Sequence, residues 1–212
     1  MTKLPRRDQM LHRFADADTS AAPISYDAMA HTFDATISMG SPVKRAYGTE
    51  VLRISPQAVD LTRITQGGIP LLDHHKQDGI DSMLGKLVSA RFERGALVGT
   101  FKLNKTEQGQ KAEGMISRGE ISGLSAGYRV DQWQITDDDG DTVDENSIRW
   151  DDDLSFTATR WQLFEASLVG VPADASAAIR SLSSGVKIVE NIRTKMRMRQ
   201  LMVRRGVRLG NG

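Results

Sequence analysis

The stretch GLSAGYRVDQWQI, residues 123–135, decides the fold through the residues after its second glycine. A G-x-S-x-G string is the nucleophile elbow of an α/β-hydrolase when a strand leads into it and a helix leads out. Here the residues after Gly127 are β-branched and aromatic and continue as extended chain. The hydrolase elbow also needs its histidine downstream of the serine, and no histidine comes after Ser125. That fold is rejected. A Ser125 nucleophile served by an upstream histidine is not.

Working outward, the segments on both sides read as strands. TRWQLFEASLVGVP (159–172) is a strand that stops at Pro172, and PADASAAIR (172–180) suits a short helix opened by proline. Upstream, SMLGKLVSARFE and GALVGTFKL alternate apolar and polar residues around Arg94-Gly95, which predicts a β-hairpin. TEQGQKAEGMISRG (106–119) carries Ala112, Met115 and Ile116 at helical spacing and ends at Gly119. AHTFDATISM (30–39) and VLRI (51–54) read as earlier strands, IPLLDHH as a strand or strand end, and SPQAVDLTRI (55–64) as a short helix with a Ser cap and Pro at its first position. The run 137–153 holds nine acidic residues and one arginine and reads as a solvated loop.

The ends differ from the middle. Residues 1–25 are polar and without period, a flexible leader. Residues 181–212 form a basic tail with Met and Leu between the charges, suited to an amphipathic helix facing a partner. The organisation expected is a leader at 1–25, a domain at 26–180 and a basic tail at 181–212. With 212 residues, 39% hydrophobic and 26% charged, the chain suffices for one domain with a core. Net charge is +1, so no global field demands nucleic acid. There is no cysteine, which removes disulfides, thiolate metal sites and cysteine nucleophiles. The N-terminal segment lacks the apolar run of a secretory signal and no stretch reaches the roughly 20 apolar residues of a membrane span, so a cytoplasmic location is expected.

A serine hydroxyl attacks poorly until a base takes its proton, and imidazole titrates in the useful range. The histidines are His12 in the leader, His31 in an early strand, and the adjacent pair His74 and His75 at a strand end. Strand alternation would let only one of that pair face Ser125. A third group must hold the imidazole and stabilise its charge. Glu165, a lone carboxylate in an otherwise apolar strand, is the candidate, since such a group is costly to bury unless it is paired. The rival use of Asp73-His74-His75 is the DHH string of metal-dependent phosphoesterases, which need further aspartates and histidines elsewhere. No histidine lies beyond His75 in the chain, and Asp34 and Asp60 are isolated.

The order PLLDHH, ID, LGKLVSAR, GALVGTFKL, ISRGEISGLSAGYRV, WQLFEASLVGVPADASAAI resembles the prohead maturation proteases of tailed bacteriophages, serine endopeptidases akin in fold to the herpesvirus assemblin proteases. The resemblance covers roughly residues 30–180 and rests on the histidine block, the G-L-S-x-G-Y block and the E-x-S-L-V block. It implies a mainly β (α+β) fold, a closed or nearly closed antiparallel β-barrel flanked by short helices. It implies Ser125 as nucleophile, His75 rather than His74 as general base because a basic residue comes directly after it, and Glu165 as the acidic third member. Backbone N–H groups near Ser125, and Arg129, are candidates for the oxyanion hole. No cofactor or metal is implied. The implied substrates are the major capsid protein with its scaffold or delta segment, and the chain itself. The implied setting is an oligomer inside the assembling prohead in the bacterial host, with no membrane and no requirement for nucleic acid. Two other functions stay open: a non-enzymatic assembly or scaffolding protein on the same fold, and the DHH-type phosphoesterase.

Overall fold

The computed structural model describes residues 11–13, 25–148, 153–170 and 179. In chain order the strands are β1 (Leu11–Arg13), β2 (Thr32–Ser38), β3 (Val43–Arg45), β4 (Gly48–Leu52), β5 (Val59–Asp60), β6 (Ile69–Asp73), β7 (Met83–Glu93) and β8 (Ala96–Leu103). Then come the helix α1 (Glu107–Ser117), β9 (Gly123–Thr136) and β10 (Ser155–Val169). Of the expected helix at 172–180 only Ile179 is described, and it forms a β-bridge with Ala35; the tail at 181–212 and most of the leader lie outside the described residues.

The hairpin arises as the alternation demands. β7 and β8 pair antiparallel from Glu93↔Ala96 back to Gly85↔Leu103. Arg94 and Gly95 both have positive φ (50° and 79°), the backbone hand that lets a two-residue turn match strand twist. α1 begins where Thr106 accepts a hydrogen bond from the Gly109 N–H on its side chain and ends before left-handed Gly119. It buries Ala112 and Ile116 against the sheet.

β10 organises the molecule. One edge pairs antiparallel with β9 almost throughout. The other edge pairs in parallel with β4, then β5, then β6. The sheet runs β1-β9-β10-β6-β7-β8-β2, with β3, β4 and β5 off this path. It is therefore mixed, not purely antiparallel as expected, because three separate segments return to one edge of β10 in the same direction. The sheet curls until β2 approaches β9. Its two ends, β1 and β2, are joined by no ladder among the described residues, so the fold is a mostly β, curled half-barrel with few helices.

Two local expectations change. Residues 55–64 do not form one helix: they give a turn, the two-residue β5 and a 3-10 turn at Thr62–Ile64. The proline cap is satisfied by a single turn, in which Ala58 N–H donates to Ser55, and pairing with β10 then captures Val59 and Asp60. Within the expected leader, Leu11–Arg13 is a strand paired with Ala126–Tyr128 of β9.

The core fills the concave side: Phe33, Ile37, Leu71, Leu97, Phe101, Leu124, Tyr128, Trp161 and Leu168 are almost wholly enclosed. Trp161 donates its indole N–H to the Arg53 carbonyl at 2.9 Å, which satisfies its polar end. Glu50, fully buried, accepts hydrogen bonds from Tyr47, Tyr128 and Arg45.

Candidate active site

Leu124, Ala126 and Tyr128 of β9 point into the core, so the alternate residues Ser125, Gly127 and Arg129 share the other face. On β10, Ala166 and Leu168 likewise belong to the core, leaving Glu165 and Ser167 beside Ser125 and Gly127. The register sets Ser167 opposite Ser125 and Glu165 opposite Gly127. A bulge lies between Leu163 and Glu165, and it gives Phe164 and Glu165, consecutive in sequence, a common face. Phe164 meets the Arg129 guanidinium while Glu165 lies over Gly127. A Cβ on Gly127 would sit 2.1 Å from Glu165 Oε1, so this position admits the carboxylate only because it has no side chain.

The histidines come from a turn, not from the strand itself. β6 ends at Asp73, and His74 and His75 come next with φ of 47° and 59°. Two consecutive left-handed non-glycine residues are costly and persist where their surroundings hold them. The holding contacts are visible: His74 N–H donates to the Leu168 carbonyl (3.1 Å), His75 N–H donates to Ser167 Oγ (3.0 Å), and Lys76 N–H donates to the Asp73 carbonyl (3.0 Å). The Lys76 ammonium and His74 both bind the Asp73 carboxylate and hold it below its ordinary pKa.

The turn sends the two rings apart. His74 Nδ1 lies 2.7 Å from Asp73 Oδ1, and its Nε2 accepts from Gly170 N–H at 3.3 Å. His75 Nδ1 lies 2.6 Å from Glu165 Oε1, and its Nε2 is shielded from solvent. Ser167 Oγ donates to the second oxygen of Glu165 at 2.8 Å. Glu165 is thus buried and doubly engaged, not exposed on a wet face. Ser125 and Ser167 are fully enclosed.

Beside Glu165 opens a cleft of about 650 Å³. Its lining includes exposed Ile80 from the loop after the histidine turn, Met83 at the start of β7, and Arg63, Arg129 and Phe164.

Of the residues singled out from sequence, the structure brings His75 and Glu165 into contact and sets Ser125 in the strand pair that carries Glu165. His31 is elsewhere: it sits in a turn before β2, with Nδ1 2.8 Å from Glu113 of α1. The backbone of His12 pairs with Gly127. Arg129 has its guanidinium on Phe164, four residues along β9 from Ser125. Sequence reasoning missed Ser167 and the role of Gly127. The signal for Ser167 was present in E-A-S, since residues two apart on a strand share a face. The bulge that brings in Phe164 left no comparable trace.

Residues 17–191 match the family described as Caudovirus prohead serine protease, and the chain belongs to that family. It is similar to a major capsid protein of Halomonas phage phiHAP-1, 27% identical over 139 residues. That match takes in 65% of this chain and only 21% of the capsid protein's length. Among solved structures it is similar to the bacteriophage T4 capsid assembly protease, gp21, at 10% identity and a TM-score of 0.38, covering 82% of this chain and 97% of that one.

Proposed function

We propose that the chain is a serine endopeptidase of phage head maturation, with Ser125 as nucleophile, His75 as general base and Glu165 as its orienting acid. The observation that carries this reading is the 2.6 Å contact between His75 Nδ1 and Glu165 Oε1, with Glu165 on the strand that pairs with β9 beside the buried Ser125. A carboxylate on Nδ1 fixes the tautomer whose Nε2 accepts a proton, and it stabilises the imidazolium that results. Ser125 Oγ attacks the peptide carbonyl as its proton passes to His75 Nε2. The imidazolium returns that proton to the leaving amine, and water then releases the acyl group by the same route. Ser167 acts through its neighbours: it holds one Glu165 oxygen and anchors the His75 backbone.

The proposed substrates are the coat protein, its scaffold or delta segment, and the chain itself, cut inside the prohead. Family membership supports this setting. So does the capsid protein relative, in which a stretch similar to this domain belongs to a coat polypeptide. The phosphoesterase reading is disfavoured because the two histidines of the DHH string turn to different carboxylates, Asp73 and Glu165.

The test is reaction of the full chain with a fluorophosphonate probe, alongside incubation with coat protein and mass analysis of both proteins. Labelling at Ser125 with specific cleavage is expected. Ser125→Ala should abolish both, and Glu165→Gln should slow cleavage by about 10³- to 10⁴-fold, as loss of the acid does in other triads. Undiminished cleavage by Ser125→Ala would end the proposal. A scaffolding protein would neither label nor cut.

A further inference from the structure

The cleft beside Glu165 contains two guanidinium groups that no acidic side chain among the described residues neutralises. Arg63 comes from the 3-10 turn ahead of β6 and Arg129 from β9. Their central carbons lie 4.5 and 4.2 Å from the centroid of one ring, that of Phe164. In each, Nε is shielded from water and makes no hydrogen bond. Buried donors without acceptors are rare, and each costs on the order of 1–3 kcal/mol, so a missing acceptor is the physical expectation. A guanidinium resting on an aromatic face keeps its in-plane N–H groups for a partner, and the partner that matches its fork is a carboxylate.

The other charges around the cleft do not supply one. Glu165 is taken up by His75 and Ser167, and Asp73 by Lys76 and His74. Asp78, also on the cleft, accepts from Ser82 Oγ at 3.5 Å and makes no ion pair with Arg63 or Arg129, while Lys76 is already paired with Asp73. The cleft therefore favours an incoming anion on the wall formed by Arg63, Phe164 and Arg129.

Its position fixes what that anion does. Arg129 is four residues along β9 from Ser125 on the same face, a separation of about 13 Å at roughly 3.3 Å per residue. For a substrate lying extended along this face of β9, with the same rise, a group at Arg129 belongs to a residue about four positions from the bond at Ser125. Building on the peptidase reading, we infer that Arg63 and Arg129, held by Phe164, form a specificity subsite for an acidic side chain of the substrate, about four residues from the scissile bond.

The experiment uses a position-scanning library of dodecapeptides blocked at both ends, so that only side chains carry charge. The full-length Ser125→Ala chain selects binders, and the native chain digests the same library. Asp or Glu is expected to be enriched about tenfold or more over Asn and Gln at one position, the yield of a single charge-assisted pair. Arg63→Gln and Arg129→Gln, made singly on the Ser125→Ala chain and checked for an unchanged melting temperature, should each reduce that enrichment. No selective binding, no acidic preference, or a preference that survives both substitutions overturns the inference. The two readings fail separately. Cleavage indifferent to acidic residues removes the subsite and leaves the peptidase. Acid-selective binding without cleavage or probe labelling removes the peptidase and leaves a carboxylate site.

Discussion

At Gly127 the absence of one carbon makes room for the acid of the proposed triad. Gly127→Ala places a methyl 2.1 Å from Glu165 Oε1, against a carboxylate already bound by His75 and Ser167. Something must shift, and overpacking of this kind costs about 1–3 kcal/mol. The expected outcome is a lowered melting temperature together with loss of probe labelling at Ser125, read on the same sample. Ser167→Ala makes a gentler cut. It removes one hydrogen bond to Glu165 and the acceptor for His75 N–H, so kcat should fall by about 10- to 100-fold with KM little changed. A purely structural serine would lower stability without that split. At this scale the sequence was informative where chemistry is scarce. One serine lay between glycines, one histidine pair stood at the end of an apolar run, and one carboxylate stood in an apolar strand. Strand alternation alone could not say which histidine turns inward, and only the family resemblance singled out His75. That choice is made by two left-handed residues outside any strand, where the alternation argument does not apply.

Among the elements, the long β-segments and α1 were legible because each has a period and a punctuation mark. Arg94-Gly95 marks the hairpin, Thr106 the helix start and Gly119 its end. Residues 55–64 misled because a Ser-Pro start is only a local preference, whereas β5 exists through pairing with the distant β10. α1 is tied to the chain entering β2 through Glu113, which accepts from Tyr26 Oη at 2.6 Å and contacts His31 Nδ1 at 2.8 Å. The hydrogen bond to Glu113 raises the Tyr26 phenol to about 12, with burial and the Glu113 charge adding to it. A phenol raised in the folded state contributes stability below its unfolded value near 10, and that contribution is lost as pH rises through about 12. The melting temperature should therefore decline between about pH 10 and 12, and Tyr26→Phe should flatten that portion of the profile. An identical alkaline decline in the variant would assign it to other groups.

For the whole molecule, the β-rich class was readable from strand count and turn signals, while the connectivity was not. Nothing local in β4, β5 or β6 announces that all three align in parallel along one neighbour. That depends on the 15-residue length of β10 and on the twist that turns its edge past each in succession. Barrel closure was an expectation from kinship, and the described strands leave the curl open between β1 and β2.

Ile179 fastens the sheet where the described chain leaves it. It is 3% exposed, packs in the main core, bridges Ala35 of β2 and donates its N–H to the Ser122 carbonyl, one residue before β9 begins. This single stitch joins the far side of the sheet to the strand bearing the proposed nucleophile. Shortening the polypeptide to residue 180 should leave thermal stability and probe reactivity intact. Shortening it to residue 170 removes the stitch, and the lost burial of one isoleucine should lower the melting temperature by roughly 5–10 °C. If the proposed self-cleavage occurs, C-terminal cuts beyond residue 180 spare this stitch and cuts before Ile179 release it, so one aliphatic side chain divides tolerated trimming from destabilising trimming.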